Sequence, residues 1–162
     1  MPIIKTIIAS LLTLTVTSSI TFGSELLRTP ANIVGDKYGF TEGPVWVKHK
    51  KIWLFTDIPR NKLYSVDSNG NVNVWLEDSG YANGLNIDKH NNIWIAHHCR
   101  KVSKTTPKGK NYIVASTYNG KKLNSPNDIA IKKDGSTWFT DPMYGITLKG
   151  FGCEVAKEEQ PV

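Results

Sequence analysis

The chain has 162 residues, 20 Lys and Arg against 14 Asp and Glu for a formal charge of +6, 40% hydrophobic residues and two cysteines. Its lysines (Lys48, Lys50, Lys51, Lys89, Lys132, Lys133) are scattered through expected turns rather than gathered into a stripe, which argues against a nucleic-acid face. Cys99 and Cys153 match no metal-ligand spacing; they either pair in an oxidising compartment or remain incidental thiols.

Taken from the N-terminus, residues 1–23 read as an export signal: one early charge at Lys5, an apolar and hydroxyl-rich run from Ile7 to Ile20, and the small-x-small ending Thr21-Phe22-Gly23. A membrane anchor is the competing reading, but the run is shorter than the roughly 20 strongly apolar residues that a spanning helix needs. Removal of this segment takes away one lysine and no acid, so the formal charge falls from +6 to +5. The expected product is residues 24–162, soluble and exported to the periplasm or the medium, with no membrane association once the signal is gone.

Three segments of that product share one plan: "EGPVWVKHKKIWLFTDIP" from Glu42, "ANGLNIDKHNNIWIAHH" from Ala82 and "PNDIAIKKDGSTWFTDP" from Pro126. A slide of 44 places Asn83 on Asn127 and Trp94 on Trp138. A slide of 84 places Phe55-Thr56-Asp57 on Phe139-Thr140-Asp141 and Val45 on Ile129, with Glu42 one position early relative to Asn127. Each copy holds two β-rich runs about a polar turn, a hairpin signal. Between copies lie further strand candidates, "NKLYSVD", "GNVNVWLED", "RKVSKTT" and "NYIVAST". Four strands in about 41 to 44 residues is the repeat of a β-propeller blade. The expected fold is therefore all-β, about three blades in an incomplete ring, with no helix of any length. Trp46, Trp53, Trp75, Trp94 and Trp138 fall in strand runs and are expected to fill the space between neighbouring sheets. A run of three blades leaves a sheet face and an edge free to pair with other chains, so self-association is expected.

Each repeat opens on a polar residue ahead of its first strand: Glu42, Asn83 and Asn127. The innermost strand of every blade starts near the axis on the same face, so these residues should converge. One carboxylate with carboxamide oxygens is a hard, all-oxygen set suited to Ca²⁺ or Mg²⁺. Asp128 is expected to support nearby backbone, and Asp57 and Asp141 to make structural turn bonds. His97 and His98, adjacent on a strand, point to opposite faces and should not chelate jointly. There is no Gly-x-Ser-x-Gly elbow and no zinc pattern.

The stretches "FTEGPVW", "LFTDIPRNKLY", "SGYANGL" and "LNSPNDIAIKKDGSTWFTDPMYGI", in that order, resemble the SMP-30/gluconolactonase/regucalcin-like family, in particular the N-terminal half of its bacterial gluconolactonase branch. The resemblance implies a six-bladed propeller with one divalent cation (Ca²⁺, or Mg²⁺, Zn²⁺ or Mn²⁺) at the mouth of the channel. It implies Glu42 as the first-blade metal ligand, and Asn127 as a residue that binds metal or contacts substrate; Asn83, which opens the second repeat in the same way, is a candidate substrate contact on the repeat pattern alone. Ser125 stands where the animal proteins carry a substrate-binding arginine. The family's later metal-binding Asn, and the Asp assigned as general base, have no counterpart among the 162 residues, so the catalytic base is unknown. The implied function is metal-dependent hydrolysis of a sugar-derived lactone, with the chain as given a truncated form of weak or no activity. Competing readings are a non-catalytic half-propeller that binds a partner, and a related arylesterase or organophosphate hydrolase.

Overall fold

The computed structural model describes residues 33–160. The expected export signal lies outside them. Strands β1 (Thr41–Val47), β2 (Ile52–Asp57), β3 (Lys62–Val66) and β4 (Val72–Leu76) form an antiparallel meander in sequence order. The next four, β5 (Ala82–Ile87), β6 (Ile93–His97), β7 (Lys101–Thr105) and β8 (Asn111–Ala115), repeat it. A small hairpin, β9 (Thr117–Tyr118) and β10 (Lys121–Lys122), leads to the two-stranded third sheet, β11 (Ile129–Ile131) and β12 (Thr137–Phe139). The fold is thus all-β and propeller-like, two four-stranded blades and a two-stranded third that do not close a ring.

Polar turn chemistry sets the hairpins. The Asp67 carboxylate accepts the backbone N–H groups of Asn69 and Asn71, Asp88 does the same for His90 and Asn92, and Asp134 for Ser136. An Asx side chain that binds backbone two to four residues ahead closes the turn without the ladder. Alternation along the strands then sorts the faces. Val47, Leu54 and Leu63 of the first blade pack against Ala82, Leu85, Ile93 and Ile95 of the second. The opposite side of the second blade presents Ala96, Val102 and Trp94 to Ile129 and Phe139 of the third.

Three sequence expectations are corrected here. The tryptophans are not uniformly core: Trp94 packs between blades, but Trp53 is 50% and Trp138 69% exposed, and Trp46 and Trp75 are also exposed. Trp46, Trp53 and Trp138 lie on blade faces that carry no neighbouring sheet among the described residues, whereas Trp75 sits on the outermost strand under the Lys50 ammonium, 5.5 Å from its ring. The repeat register also differs. Val45 pairs with Leu54 as Ala130 pairs with Trp138, so Val45 is the counterpart of Ala130 and not of Ile129. Finally, one helical turn, α1 (Tyr144–Thr147), follows the third hairpin. Among the described residues no helix is long and apolar enough to cross a membrane.

Candidate functional site

Both complete blades carry a β-bulge at the start of their innermost strand, between Glu42 and Val45 and between Ala82 and Leu85. A bulge places two residues opposite one and re-aims the side chains beside it. Glu42 and Asn83 sit at these bulges.

Successive blades touch there, backbone to backbone. Gly43 adopts φ +53°, and a Cβ on it would lie 2.2 Å from the Asn83 carbonyl oxygen. The Gly84 N–H donates to the Asn127 carbonyl at 2.7 Å, and a Cβ on Gly84 would lie 2.6 Å from that oxygen. Glycine follows the polar residue in the first two repeats because the next blade's backbone occupies the space of a side chain. The Thr56 hydroxyl adds a bond to the Asn83 carbonyl at 3.1 Å. Glu42-Gly43, Asn83-Gly84 and Asn127-Asp128 therefore stand side by side at one end of the array, as three steps around its inner rim.

Asn83 is buried at 3% exposure, with Glu42 and Asn127 half-buried. The Asn83 Nδ2 lies 2.9 Å from Nε2 of His98, whose Nδ1 lies 2.6 Å from the Phe151 carbonyl oxygen. Burial lowers the His98 pKa, opposed by the Phe151 carbonyl and by the Glu42 charge. His98 thus belongs to this end of the molecule. The sequence assigns it no role beyond pointing away from His97, and His97 indeed points elsewhere, to the Ser79 carbonyl and the Ser103 hydroxyl. Two adjacent histidines do not show which of them faces the axis, and a backbone carbonyl such as that of Phe151 leaves no trace in the sequence.

The flanking residues are structural. Ser125 is fully buried; its hydroxyl donates to the Pro142 carbonyl and accepts the Gly145 N–H, so it does not replace an arginine. Asp57 accepts the N–H groups of Gly39 and Phe40 and the Arg60 guanidinium. Burial alone would raise its pKa, but these bonds hold it below the usual carboxylate range. Asp141 accepts the Asn124 N–H, and burial raises its pKa. Asp128 accepts the N–H of Ile129. Among the described residues no three His, Cys, Asp or Glu side chains gather as a metal centre.

The fold and the order of these residues find clear relatives. Residues 40–150 match the family described as SMP-30/Gluconolactonase/LRE-like region. The gluconolactonase of Zymomonas mobilis is 34% identical over 75% of this chain and 38% of its own length. Among solved structures, a gluconolactonase from Xanthomonas campestris aligns with a TM-score of 0.74 at 29% identity, over 78% of this chain and 43% of the other. A candidate gluconolactonase aligns with a TM-score of 0.75 at 32% identity, over 80% and 45%. The chain therefore spans less than half the length of these relatives. It belongs to the SMP-30/gluconolactonase family.

Proposed function

We propose that this chain contributes to a divalent-metal-dependent lactonase acting on a sugar-derived lactone. The observation that carries the reading is the row of Glu42, Asn83 and Asn127 along one rim, in a chain whose relatives include gluconolactonases. The donor chemistry fits a hard cation: one carboxylate and carboxamide oxygens. A divalent cation, when bound, polarises a carbonyl oxygen and lowers the pKa of a bound water. Glu42 would supply the negative charge that retains it, and Asn127 a further oxygen or a contact to the lactone. Asn83 would orient the lactone hydroxyls through its carboxamide. A single carboxylate predicts weak cation affinity, because affinity follows the charge and number of ligands.

The test is hydrolysis of glucono-1,5-lactone by the full chain at constant pH, with chelator and after Ca²⁺ is returned. Turnover that disappears with chelator and returns with Ca²⁺ supports the reading, and turnover indifferent to chelation overturns it. Glu42→Gln should weaken Ca²⁺ binding by about tenfold or more, read by calorimetry without substrate.

A second reading, a non-catalytic half-propeller that associates with a second copy, is favoured by the exposed Trp46, Trp53 and Trp138. We also propose export to the periplasm or the medium. The Cys99–Cys153 disulfide, of the kind that persists in oxidising compartments, supports it.

A further inference from the structure

His98 joins two parts of the molecule that the lactonase reading leaves separate. On one side its Nε2 meets the Asn83 amide at 2.9 Å, and on the other its Nδ1 meets the Phe151 carbonyl at 2.6 Å. A carbonyl oxygen only accepts, so Nδ1 carries the proton. The neutral ring then offers Nε2 as an acceptor, and only the NH₂ half of the Asn83 carboxamide can satisfy it. The polarity of the whole chain is therefore set by a backbone group that cannot reverse, and it leaves the Asn83 oxygen on the side not used by His98.

The anchor at the far end is itself secured. Phe151 lies two residues before Cys153, and His98 one residue before Cys99, its disulfide partner. Arg100, next along, is buried and binds Glu154 and Glu159 of the same returning segment at 3.0 and 2.8 Å. Gly145 closes on the imidazole so tightly that an added Cβ would lie 2.5 Å from His98 Cβ and 2.7 Å from Cγ. The ring has little room to turn.

We propose that His98 is a positioning residue: it holds the Asn83 carboxamide with its oxygen free for a ligand, and the disulfide-linked segment 151–153 holds His98. The use of that oxygen for a lactone rests on the function proposed above; the orientation itself does not.

The first experiment is therefore spectroscopic, on the full, oxidised, ¹⁵N-labelled chain without ligand. Long-range ¹H–¹⁵N correlations should show the Nδ1–H tautomer at His98. In His98→Phe the Asn83 side-chain amide signals should shift and broaden, and in His98→Gln, whose Oε1 can stand near the Nε2 position, they should return towards the wild type. Reduction of the disulfide should convert His98 to a mixture of tautomers. An Nε2–H tautomer in the oxidised protein, or Asn83 signals unchanged in His98→Phe, would overturn the proposal, and the tautomer measurement needs no variant to fold. In the activity arm, His98→Phe should raise KM for glucono-1,5-lactone by about tenfold with a smaller change in kcat, as loss of a ground-state contact does, and His98→Gln should recover most of it. Equal KM in wild type and His98→Phe would count against the role. Absence of turnover in the wild type would count against the lactonase reading alone, with the tautomer still deciding the orientation.

Discussion

At the position that ends the second strand of the two full blades, and its repeat equivalent two residues past β12, the three repeats solve one problem with different residues. Asp57 and Asp141 each accept backbone N–H groups from the segment entering their blade. His97, which pairs with Ala82 as Asp57 pairs with Thr41, binds the Ser79 carbonyl instead and so must present a protonated Nδ1. Burial, followed by the nearby Lys101 charge, pushes the His97 pKa down to about 4. The unfolded chain, titrating near 6.5, then binds a proton that the folded chain refuses, so stability is complete above pH 6.5 and declines as pH falls towards 4. The loss should approach roughly 3 kcal/mol from this group. Urea midpoints at pH 7.5, 5.5 and 4.5 should fall in that order, and His97→Gln should flatten much of the slope; a midpoint that holds steady through this range would show that His97 does not titrate so. Asp57 acts in a lower window: its depressed pKa contributes stability that is lost only below the ordinary value of 3.8. The rim glycines give a prediction of a different kind. A Cβ at Gly84 would lie 2.6 Å from the Asn127 oxygen and 2.7 Å from Asp128 Cα, both backbone, so Gly84→Ala must push two blades apart. It should cost about 2–4 kcal/mol in urea unfolding, the scale of overpacking, whereas Gly109→Ala, with open space around it and only its left-handed φ of +82° to oppose a side chain, should cost about 1 kcal/mol.

Among the elements, the segment after α1 carries the least regular structure and the most specific bonds. It returns to the second blade through the disulfide, the Arg100 pairs with Glu154 and Glu159, and the Asn124 side chain, which donates to the Gln160 carbonyl and accepts the Glu159 and Gln160 N–H groups. The disulfide closes a loop of sequence separation 54, and restricting such a loop in the unfolded chain is worth about 4 kcal/mol in the chain-entropy account. Cys153→Ser should lower unfolding stability by about 2–4 kcal/mol, and dithiothreitol should lower the wild type by the same amount while leaving the variant unchanged. The strands of both full blades were legible from alternation and from Asx turns such as those at Asp67 and Asp88, because both signals are local. The β9–β10 hairpin went unread although Asn119-Gly120, both at positive φ, marks it; its strands are two residues long and show no alternation. The rim was legible for Glu42, Asn83 and Asn127 because the repeat places them equivalently. His98 was not, because its role depends on Phe151, 53 residues away, through a backbone oxygen.

Across the whole molecule, the repeat relates faces that are covered to faces that are not. Strand pairing makes Trp138 the counterpart of Trp94, since each lies opposite the equivalent residue of its innermost strand, Ala130 and Asn86. Trp94 is packed against the third blade, but Trp138 is 69% exposed. On the other side, Trp46 and Trp53 pair as Ile87 and Ile93 do; Ile93 is 7% exposed against the first blade, Trp46 40% and Trp53 50%. The trailing face of the third blade is therefore built like a face that accepts a leading face, and the leading face of the first blade is built like one that is accepted. A second copy satisfies both at once if two chains meet about a twofold axis, trailing face to leading face on each side. Burying such tryptophans contributes about 1.5–3 kcal/mol each, enough in sum to favour association at micromolar concentration against the entropy lost on joining. Sedimentation velocity of the chain from about 1 to 100 μM should show a concentration-dependent dimer, and Trp138→Lys should return it to monomer without a change in circular dichroism. Trp75→Lys is the control, because Trp75 lines the cleft between the first and second blades with Leu63 and Ile93 and lies on neither uncovered face, and it should leave the dimer intact. A wild-type chain that stays monomeric over this range, or a dimer that survives Trp138→Lys but not Trp75→Lys, would show that the blade faces are not what holds two copies together.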